Sequence, residues 1–183
     1  MTSASDRELL LRIARDAVVA HVGGTPLGEI EPVALAERRG GAFVTLHHRG
    51  GELRGCIGHV EADQPLAAVV ARCAVAACSA DPRFPAVCLA ELGDLVIELS
   101  LLGPLEPITG AAEIEIGRHG LVIEKGWRRG LLLPQVATEW KWDCQQFLAQ
   151  TCRKAGLPHD AWQHGARLWR FEAEVFGEDR DAQ

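Results

Sequence analysis

A thiol and a permanent cation lie two residues apart in the hexapeptide Leu53–Gly58. The hexapeptide is typical of a β-strand, in which side chains alternate between the two faces. Arg54 and Cys56 therefore point to the same side of the strand. Leu53 and Ile57 lie on the opposite side, which we expect to face the core. This spacing predicts that Arg54 and Cys56 line a cleft.

The chemistry expected of Cys56 is nucleophilic, because a neighbouring cation favours the reactive thiolate form of cysteine. Gly55 and Gly58 would leave room for a ligand to approach the backbone, and Arg54 would anchor an anionic group. The alternative is that Cys56 packs as a small hydrophobic residue and that the glycines mark a bulge or tight packing. The residues alone leave both interpretations open, although Cys56 is expected to be the most reactive of the cysteines.

A second candidate strand, Leu95–Leu102, places Glu98 and Ser100 on one face. If this strand neighbours the Cys56 strand, Glu98 can face Arg54. Glu98 would then serve in catalysis, and Ser100 would contribute to binding. The competing interpretation is a cross-strand ion pair, which stabilises a sheet only modestly.

Two further residues have side chains suited to a site. His119 precedes a strand and titrates near neutral pH, so it is a candidate general base for Cys56. The alternative is a turn histidine with a structural role. Arg83 lies in the proline-flanked loop 81–85 and is a candidate for binding an anion, with a structural salt bridge as the alternative.

Composition excludes several classes of function. The chain has 183 residues, a net charge of −6, 48% hydrophobic and 24% charged residues, which is ordinary for a soluble globular protein. The acidic balance argues against general nucleic-acid binding, although it does not exclude a local basic cleft. The longest apolar run, 66–78, is interrupted by Arg72 and is too short for a membrane span. Without an export signal, we expect a cytoplasmic protein with no membrane association.

The six cysteines show no paired spacing, so we expect reduced thiols and no disulfide. No spacing of histidine, cysteine or acidic residues matches a metal site, and no cofactor can be assigned. Cys73 and Cys78 are expected in the core, and Cys144 and Cys152 in helix packing. All five tryptophans follow residue 126 and are expected to build a C-terminal core.

Hydrophobic periodicity and turn residues predict helices, hairpins and one further strand. The helices are predicted to run from a capping box at Ser5–Glu8 to Gly23, over Val33–Arg38, over Pro65–Ser79, and from Asp143 to Ala155. The strands are predicted at Ala42–His48, Leu53–Gly58, Leu95–Leu102, Glu113–Ile116, Leu121–Glu124, Arg129–Leu133 and Leu168–Phe176. Short turns between strands and the absence of βαβ alternation favour an α+β fold with a largely antiparallel sheet flanked by helices. We expect one domain over residues 5–177 and a frayed tail at 178–183.

The sequence resembles the AMMECR domain family, whose prokaryotic members are called AmmeMemoRadiSam system protein A. The resemblance covers nearly the whole chain. Its matching pieces are Leu53–Gly58, Phe43–Leu46, Asp81–Pro85, Ile97–Ser100, Gly117–Gly120, Leu132–Ala137, and Phe147-Leu148 through Cys152 to Lys154–Pro158. The family pattern also has a recurrent His-Gly at residues 119–120 and often an acidic residue at position 98.

The resemblance implies a two-lobed α+β unit with a cleft between the lobes, but no established activity. The family name implies a system with Memo-like and radical SAM proteins as partners, acting on an unidentified small molecule or macromolecule. Three functions stay open. The chain is an enzyme built on Arg54 and Cys56, a module that binds a ligand without chemistry, or an adaptor that docks partner enzymes.

Overall fold

The computed structural model describes residues 2–28 and 38–179. In chain order the elements are α1 (Ala4–Gly23), β1 (Ala42–His48), β2 (Leu53–His59), α2 (Leu66–Ser79), β3 (Leu95–Leu102), β4 (Glu106–Ile108), β5 (His119–Lys125), β6 (Arg128–Leu132), α3 (Pro134–Glu139), α4 (Cys144–Lys154) and β7 (Arg167–Gly177). Helices and antiparallel strands are mixed along the chain, so the α+β prediction is confirmed. In these two ranges no helix is both long and apolar enough to cross a membrane.

The chain divides into two compact units. The first contains Met1–Leu102 and Glu174–Gln183, and the second contains Gly103–Ala173. The strand β7 therefore contributes its beginning to the second unit and its end to the first.

In the first unit, β1 is the central strand. It pairs antiparallel with β2 on one side and with β3 on the other, and β7 follows β3. The predicted hairpin of β1 and β2 is confirmed, and its turn uses Gly51 with a positive φ of 92°. Alternate residues such as Val44, Leu46 and Leu99 are completely buried with α1 and α2 in one apolar cluster. Because alternate residues point to opposite faces, the other face of this sheet carries the polar candidates.

The first helix begins two residues earlier than predicted. Ser3, not Ser5, is the N-cap: its hydroxyl accepts the N–H of Asp6 at 3.2 Å, and the Asp6 carboxylate accepts the N–H of Ser3 at 3.3 Å. An aspartate three residues after a serine can complete a capping box as a glutamate does. The predicted end is confirmed, since Gly24 closes the helix in the left-handed conformation.

Helix α2 is buried on nearly all sides, as its composition predicts. Cys73 and Cys78 lie in the core, and burial raises the pKa of both thiols. Pro65 is the N-cap rather than the first helical residue.

The second unit is an antiparallel sheet in the order β6-β5-β7, with β4 paired to β7. Helix α4 packs against β5 and β6, and Phe147 and Leu148 are completely buried. The predicted capping box of α4 is confirmed at Asp143 and Gln146.

Several predictions about short elements are wrong. Helix α3 and strand β4 were not predicted, because a helix of six residues and a strand of three are too short to show a hydrophobic period. The strand predicted at Glu113–Ile116 is absent, and a 3-10 helix covers Ala111–Glu113 instead. Residues 33–37 of the predicted short helix lie outside the described residues.

The tryptophans do not all build a core. Trp142 and Trp162 pack against the core of the second unit, but Trp127 and Trp140 are exposed. Glu178, in the tail that was predicted to be frayed, is hydrogen-bonded to β3 and to α1. Its N–H donates to Ile97 O at 2.9 Å, and its carboxylate accepts from Arg15 and from the N–H of Ile97 at 2.8 Å.

Candidate functional site

Cys56 lies in a polar row that crosses three strands of the first unit. Thr45 of β1 is opposite Cys56 of β2 on one side and opposite Glu98 of β3 on the other. Directly opposed residues share a face of the sheet, so these three side chains project to the same side. The next row on this face contains Gly58, Phe43 and Ser100.

The thiol of Cys56 is half-buried, and its strand is held in place from both sides. The hydroxyl of Thr45 donates to Sγ at 3.3 Å. The backbone N–H of Cys56 donates to Oδ2 of Asp81 at 2.8 Å. Sequence reasoning missed Thr45 and Asp81; the signal that could have found Thr45 is the alternation along β1, which places it on one face with Phe43.

Asp81 and Arg83 form an ion pair at this strand. Arg83 donates from Nε to Oδ1 at 2.9 Å and from Nη2 to Oδ2 at 2.7 Å. The carboxylate is 2% exposed, whereas the arginine side chain is 54% exposed. The hydrogen bonds from Arg83, followed by those from two backbone N–H groups, hold the pKa of Asp81 well below its usual value despite burial. The salt bridge that the sequence analysis gave as the alternative role of Arg83 is therefore formed. Through the hydrogen bond from Cys56 to Asp81, it links the loop 81–85 to β2.

Arg54 is also paired with a carboxylate. It is buried and donates to Glu91 from Nε at 2.7 Å and from Nη2 at 3.2 Å. Glu91 also accepts the N–H of Cys88 at 2.8 Å. The hydrogen bond from Arg54, with that from the Cys88 N–H, lowers the pKa of Glu91 to about 2. The expected contact with Glu98 is not formed, because β1 lies between β2 and β3.

Phe84 lies beside both guanidinium groups. The Cζ of Arg83 is 5.4 Å from the ring centroid, and the Cζ of Arg54 is 6.0 Å from it. Both distances are within the range of cation–π attraction. The two arginines therefore have their charges matched inside the protein, and the expectation that Arg54 anchors an anion loses its physical basis.

The two glycines of the motif do not open a path to the backbone. A Cβ at Gly55 would lie 2.2 Å from the carbonyl oxygen of Ala77 in α2, and a Cβ at Gly58 would lie 2.3 Å from the ring of Phe43. Protein groups thus fill the space that was expected to admit a ligand, so both glycines serve close packing. Leu53 is also misassigned: it is 39% exposed and does not face the core.

Polar groups on this face keep unused hydrogen-bonding capacity. Ser100 is 1% exposed, and its hydroxyl has no hydrogen-bond partner among the described residues. The same holds for Nδ1 of His47, which lies on the same strand face as Thr45. Within the described ranges, no hydrogen bond or ion pair joins the side chain of Glu98 to another residue. Buried polar atoms are nearly always paired in proteins, so the exceptions on this face call for a partner.

His119 lies in the second unit. Its Nδ1 accepts the N–H of Glu115 at 3.0 Å, and burial, followed by the charges of Arg170 and Arg118, lowers its pKa. The ring is therefore neutral near pH 7, with its proton on Nε2. The lone pair that would accept a proton is already engaged, so the geometry disfavours a general base. Its pairing with Cys56 of the first unit stays a hypothesis.

All six cysteines are free thiols. Cys88 is exposed and lies beside the Arg54–Glu91 pair, which sequence reasoning did not foresee. In the described part of the chain, no group of three or more histidine, cysteine or acidic residues is arranged to hold a metal ion.

Comparison with known proteins identifies the family. A sequence model of the AMMECR1 family matches residues 11–176. The chain belongs to the AMMECR1 family. A protein of Methanothermobacter thermautotrophicus is 44% identical over 187 residues, covering 97% of this chain and 96% of the relative. A protein of Thermococcus onnurineus is 46% identical over 185 residues, covering 94% of this chain and 90% of the relative.

A solved structure also matches the chain. The crystal structure of an uncharacterized protein from Pyrococcus horikoshii has a TM-score of 0.83 and 41% identity to this chain. The match covers 94% of this chain and 91% of that one. The fold described above is therefore one that a relative of this AMMECR1 chain also adopts.

Proposed function

We propose that the first unit binds a small polar molecule on the sheet face of Thr45, Cys56 and Glu98, in contact with the thiol of Cys56. The buried hydroxyl of Ser100, which has no partner among the described residues, carries this proposal. Leaving such a group unpaired costs about 1–3 kcal/mol, and a ligand that hydrogen-bonds to it would recover that free energy.

The spacing of the strands sets the size of the ligand. Neighbouring strands lie about 4.8 Å apart, so Cys56 and Glu98 are separated by about 10 Å across Thr45. A molecule that contacts both is thus about the size of a nucleoside or a dipeptide.

The charges on this face set the chemistry of the ligand. Arg54 and Arg83 are already paired with carboxylates, which leaves Glu98 as the charged side chain without a described partner. A carboxylate accepts hydrogen bonds and attracts cations, so the site favours a ligand that carries amine or hydroxyl donors over an anionic ligand.

Native mass spectrometry of the gently purified protein, together with thermal shifts for a set of amines, amino alcohols and nucleosides, tests this proposal. We expect a bound small molecule whose occupancy falls in Ser100→Ala and in Glu98→Gln but not in Asp16→Asn, a control at an exposed position of α1. The same ligand should slow the alkylation of Cys56. A ligand that binds both site variants as well as the wild type, or a protein that binds none of these compounds, contradicts the proposal.

A second candidate function is thiol catalysis at the same site. It is favoured by the Thr45 hydroxyl, whose hydrogen bond to Sγ would orient the sulfur toward an electrophilic carbon of the bound molecule. Cys56→Ser separates the two functions. A binding module keeps its ligand after this change, whereas a thiol enzyme loses the covalent adduct that mass spectrometry would detect in the wild type.

We also propose, from the family resemblance, that the protein acts in the cytoplasm beside Memo-like and radical SAM proteins. Affinity purification of the tagged chain from its own cells, with quantitative mass spectrometry, tests this. Recovery of neither class of protein above an untagged control would contradict the proposed partnership.

A further inference from the structure

The tip of the β5–β6 hairpin in the second unit exposes an aromatic ring. Gly126 turns the chain with a φ of 63°, and Trp127 beside it is 88% exposed. Tryptophan is usually largely buried, because exposing its large apolar ring to water is unfavourable. A ring held this far out of the protein is available to stack on a flat partner.

One cation lies against this ring, and three more lie at the same end of the unit. The Cζ of Arg128 is 5.2 Å from the Trp127 centroid, and Lys125 is directly opposite Arg128 in the hairpin. The end of α4 is adjacent, because a Cβ at Gly130 of β6 would lie 2.5 Å from the backbone N of Ala155. This contact brings Arg153 and Lys154, which are exposed in the last turn of α4, to the same end of the unit. We call Lys125, Trp127, Arg128, Arg153 and Lys154 the hairpin-tip surface.

The positive charge of the hairpin-tip surface is not matched by carboxylates. Lys125 donates to the carbonyl of His164 at 2.6 Å, and Arg128 donates to the carbonyl of Gly156. Carbonyl acceptors position a cation without neutralising it. Across the described ranges, none of the four cations of this surface forms an ion pair with a carboxylate. By contrast, Arg167 and Arg170 of the same unit do.

The charge of the second unit differs from that of the whole chain. Gly103–Ala173 holds nine Lys and Arg against eight Asp and Glu, whereas the whole chain has a net charge of −6. The overall acidity that argues against general nucleic-acid binding is therefore carried by the first unit, and the hairpin-tip surface is locally basic.

We propose that the hairpin-tip surface binds single-stranded nucleic acid, with a base stacked on Trp127 and phosphates beside its cations. A nucleic acid strand carries flat π-faces next to negative charges, which matches an exposed indole flanked by Lys and Arg. An acidic peptide would match the cations but leave the ring without a stacking partner. The surface shares no residue with the Cys56 site and does not depend on the function proposed for it.

Fluorescence anisotropy of a labelled thymidine oligonucleotide of about 12 nucleotides, a length within the usual site sizes of single-strand binders, tests the proposal. We expect measurable binding at low salt. Trp127→Ala should weaken it by about 5- to 150-fold, the range for losing one base–aromatic stack. Trp140→Ala is the matched control, because Trp140 is also exposed but stacks on Trp142; it should change the affinity by less than about twofold.

The salt dependence tests the phosphate contacts separately. Each phosphate contact to a single strand contributes about 0.7 to the slope of log K against log salt. The double variant Lys125→Gln with Arg128→Gln should therefore make the slope shallower by about 1.4. Circular dichroism checks that the exposed variants stay folded.

Two results would overturn the proposal. One is the absence of oligonucleotide binding by the wild type at low salt. The other is binding of polyphosphate or polyglutamate as tightly as the oligonucleotide, with no loss in Trp127→Ala. The second result would indicate a surface that responds to negative charge alone, and tighter binding of polyglutamate would identify an acidic protein as the partner.

Discussion

Replacing Asp81 by asparagine removes the acceptor that joins the Cys56 strand to the loop 81–85. Each carboxylate oxygen accepts two hydrogen bonds. Oδ1 accepts from the N–H and Nε of Arg83 at 3.1 and 2.9 Å, and Oδ2 accepts from the N–H of Cys56 and Nη2 of Arg83 at 2.8 and 2.7 Å. An asparagine amide makes one of these oxygens an N–H₂ group, so two donors would face a donor.

The expected cost follows from which groups can return to water. Arg83 is 54% exposed, so its guanidinium is rehydrated and its lost pairing costs little. Each carboxylate oxygen accepts one backbone N–H, that of Cys56 or that of Arg83. Either orientation of the asparagine amide therefore leaves one of these N–H groups without its acceptor, which costs about 1–3 kcal/mol. With the weakened pairing to the guanidinium of Arg83, we expect Asp81→Asn to lower the free energy of unfolding by about 3 kcal/mol. For a chain of this size the melting temperature should fall by roughly 6–12 °C.

The difference should depend on pH in a defined direction. The pKa of Asp81 is lower in the folded protein than its ordinary value near 3.9. The ionised carboxylate therefore contributes stability fully above pH of about 5, and this contribution is lost as the pH falls below about 4 toward the folded-state pKa. The stability gap between wild type and Asp81→Asn should be constant from neutral pH to about 5 and shrink below about 4.

Urea unfolding at several pH values, followed by circular dichroism and tryptophan fluorescence, measures the gap. Asp16→Asn is the control, since surface changes of this kind stay within about 0.5 kcal/mol. The double variant of Asp81→Asn and Arg83→Gln should cost less than the sum of the single variants, because the two residues share hydrogen bonds. An Asp81→Asn variant as stable as the control, or a gap that does not shrink in acid, would refute this reasoning.

Three further outcomes are expected. Gly55→Ala should destabilise the first unit by about 1–3 kcal/mol through overpacking against the backbone of α2, while Gly50→Ala, where a Cβ meets nothing within 4 Å, should be nearly neutral in the same urea titration. Glu91→Gln should lower stability near pH 7, and because the pKa of Glu91 is about 2, its gap to the wild type should close only as the pH falls from about 4 toward that value. Limited iodoacetamide labelling with peptide mapping should modify Cys56 and the exposed Cys88 before the buried thiols, whose pKa values are raised by burial; labelling of a buried thiol first would contradict this order. Those buried thiols are Cys73, Cys78 and Cys152.

The strands that carry the Cys56 site could be predicted because alternation is a local property of the backbone. β1, β2 and β3 lie within one residue of their predicted bounds, and the buried helix α2 follows from its composition. The start of α1 could not be predicted to the residue, because more than one residue there can act as the N-cap. Ser3 with Asp6 and Ser5 with Glu8 both have the spacing of a capping box, and in the structure Ser3 is the N-cap.

Partners across the sheet could not be predicted, because they depend on strand order. Alternation placed Arg54, Cys56 and Glu98 on faces of their own strands, but only the position of β1 between β2 and β3 separates Arg54 from Glu98. The carboxylate that pairs with Arg54 comes from Glu91, on a 3-10 helix without a hydrophobic period. Sequence spacing therefore gave no signal for this pair.

The sequence by itself determined the family, the α+β class and the strand on which the thiol and the cation lie, because motif order, hydrophobic period and turn residues are all local. Only the tertiary structure decided what surrounds them. It filled the space above Gly55 with the backbone of α2 and that above Gly58 with Phe43, and it neutralised both arginines. It also left Ser100 buried without a described partner and Trp127 exposed. Apart from the Asp81–Arg83 pair, these contacts join residues far apart in the chain, and no local pattern encodes them.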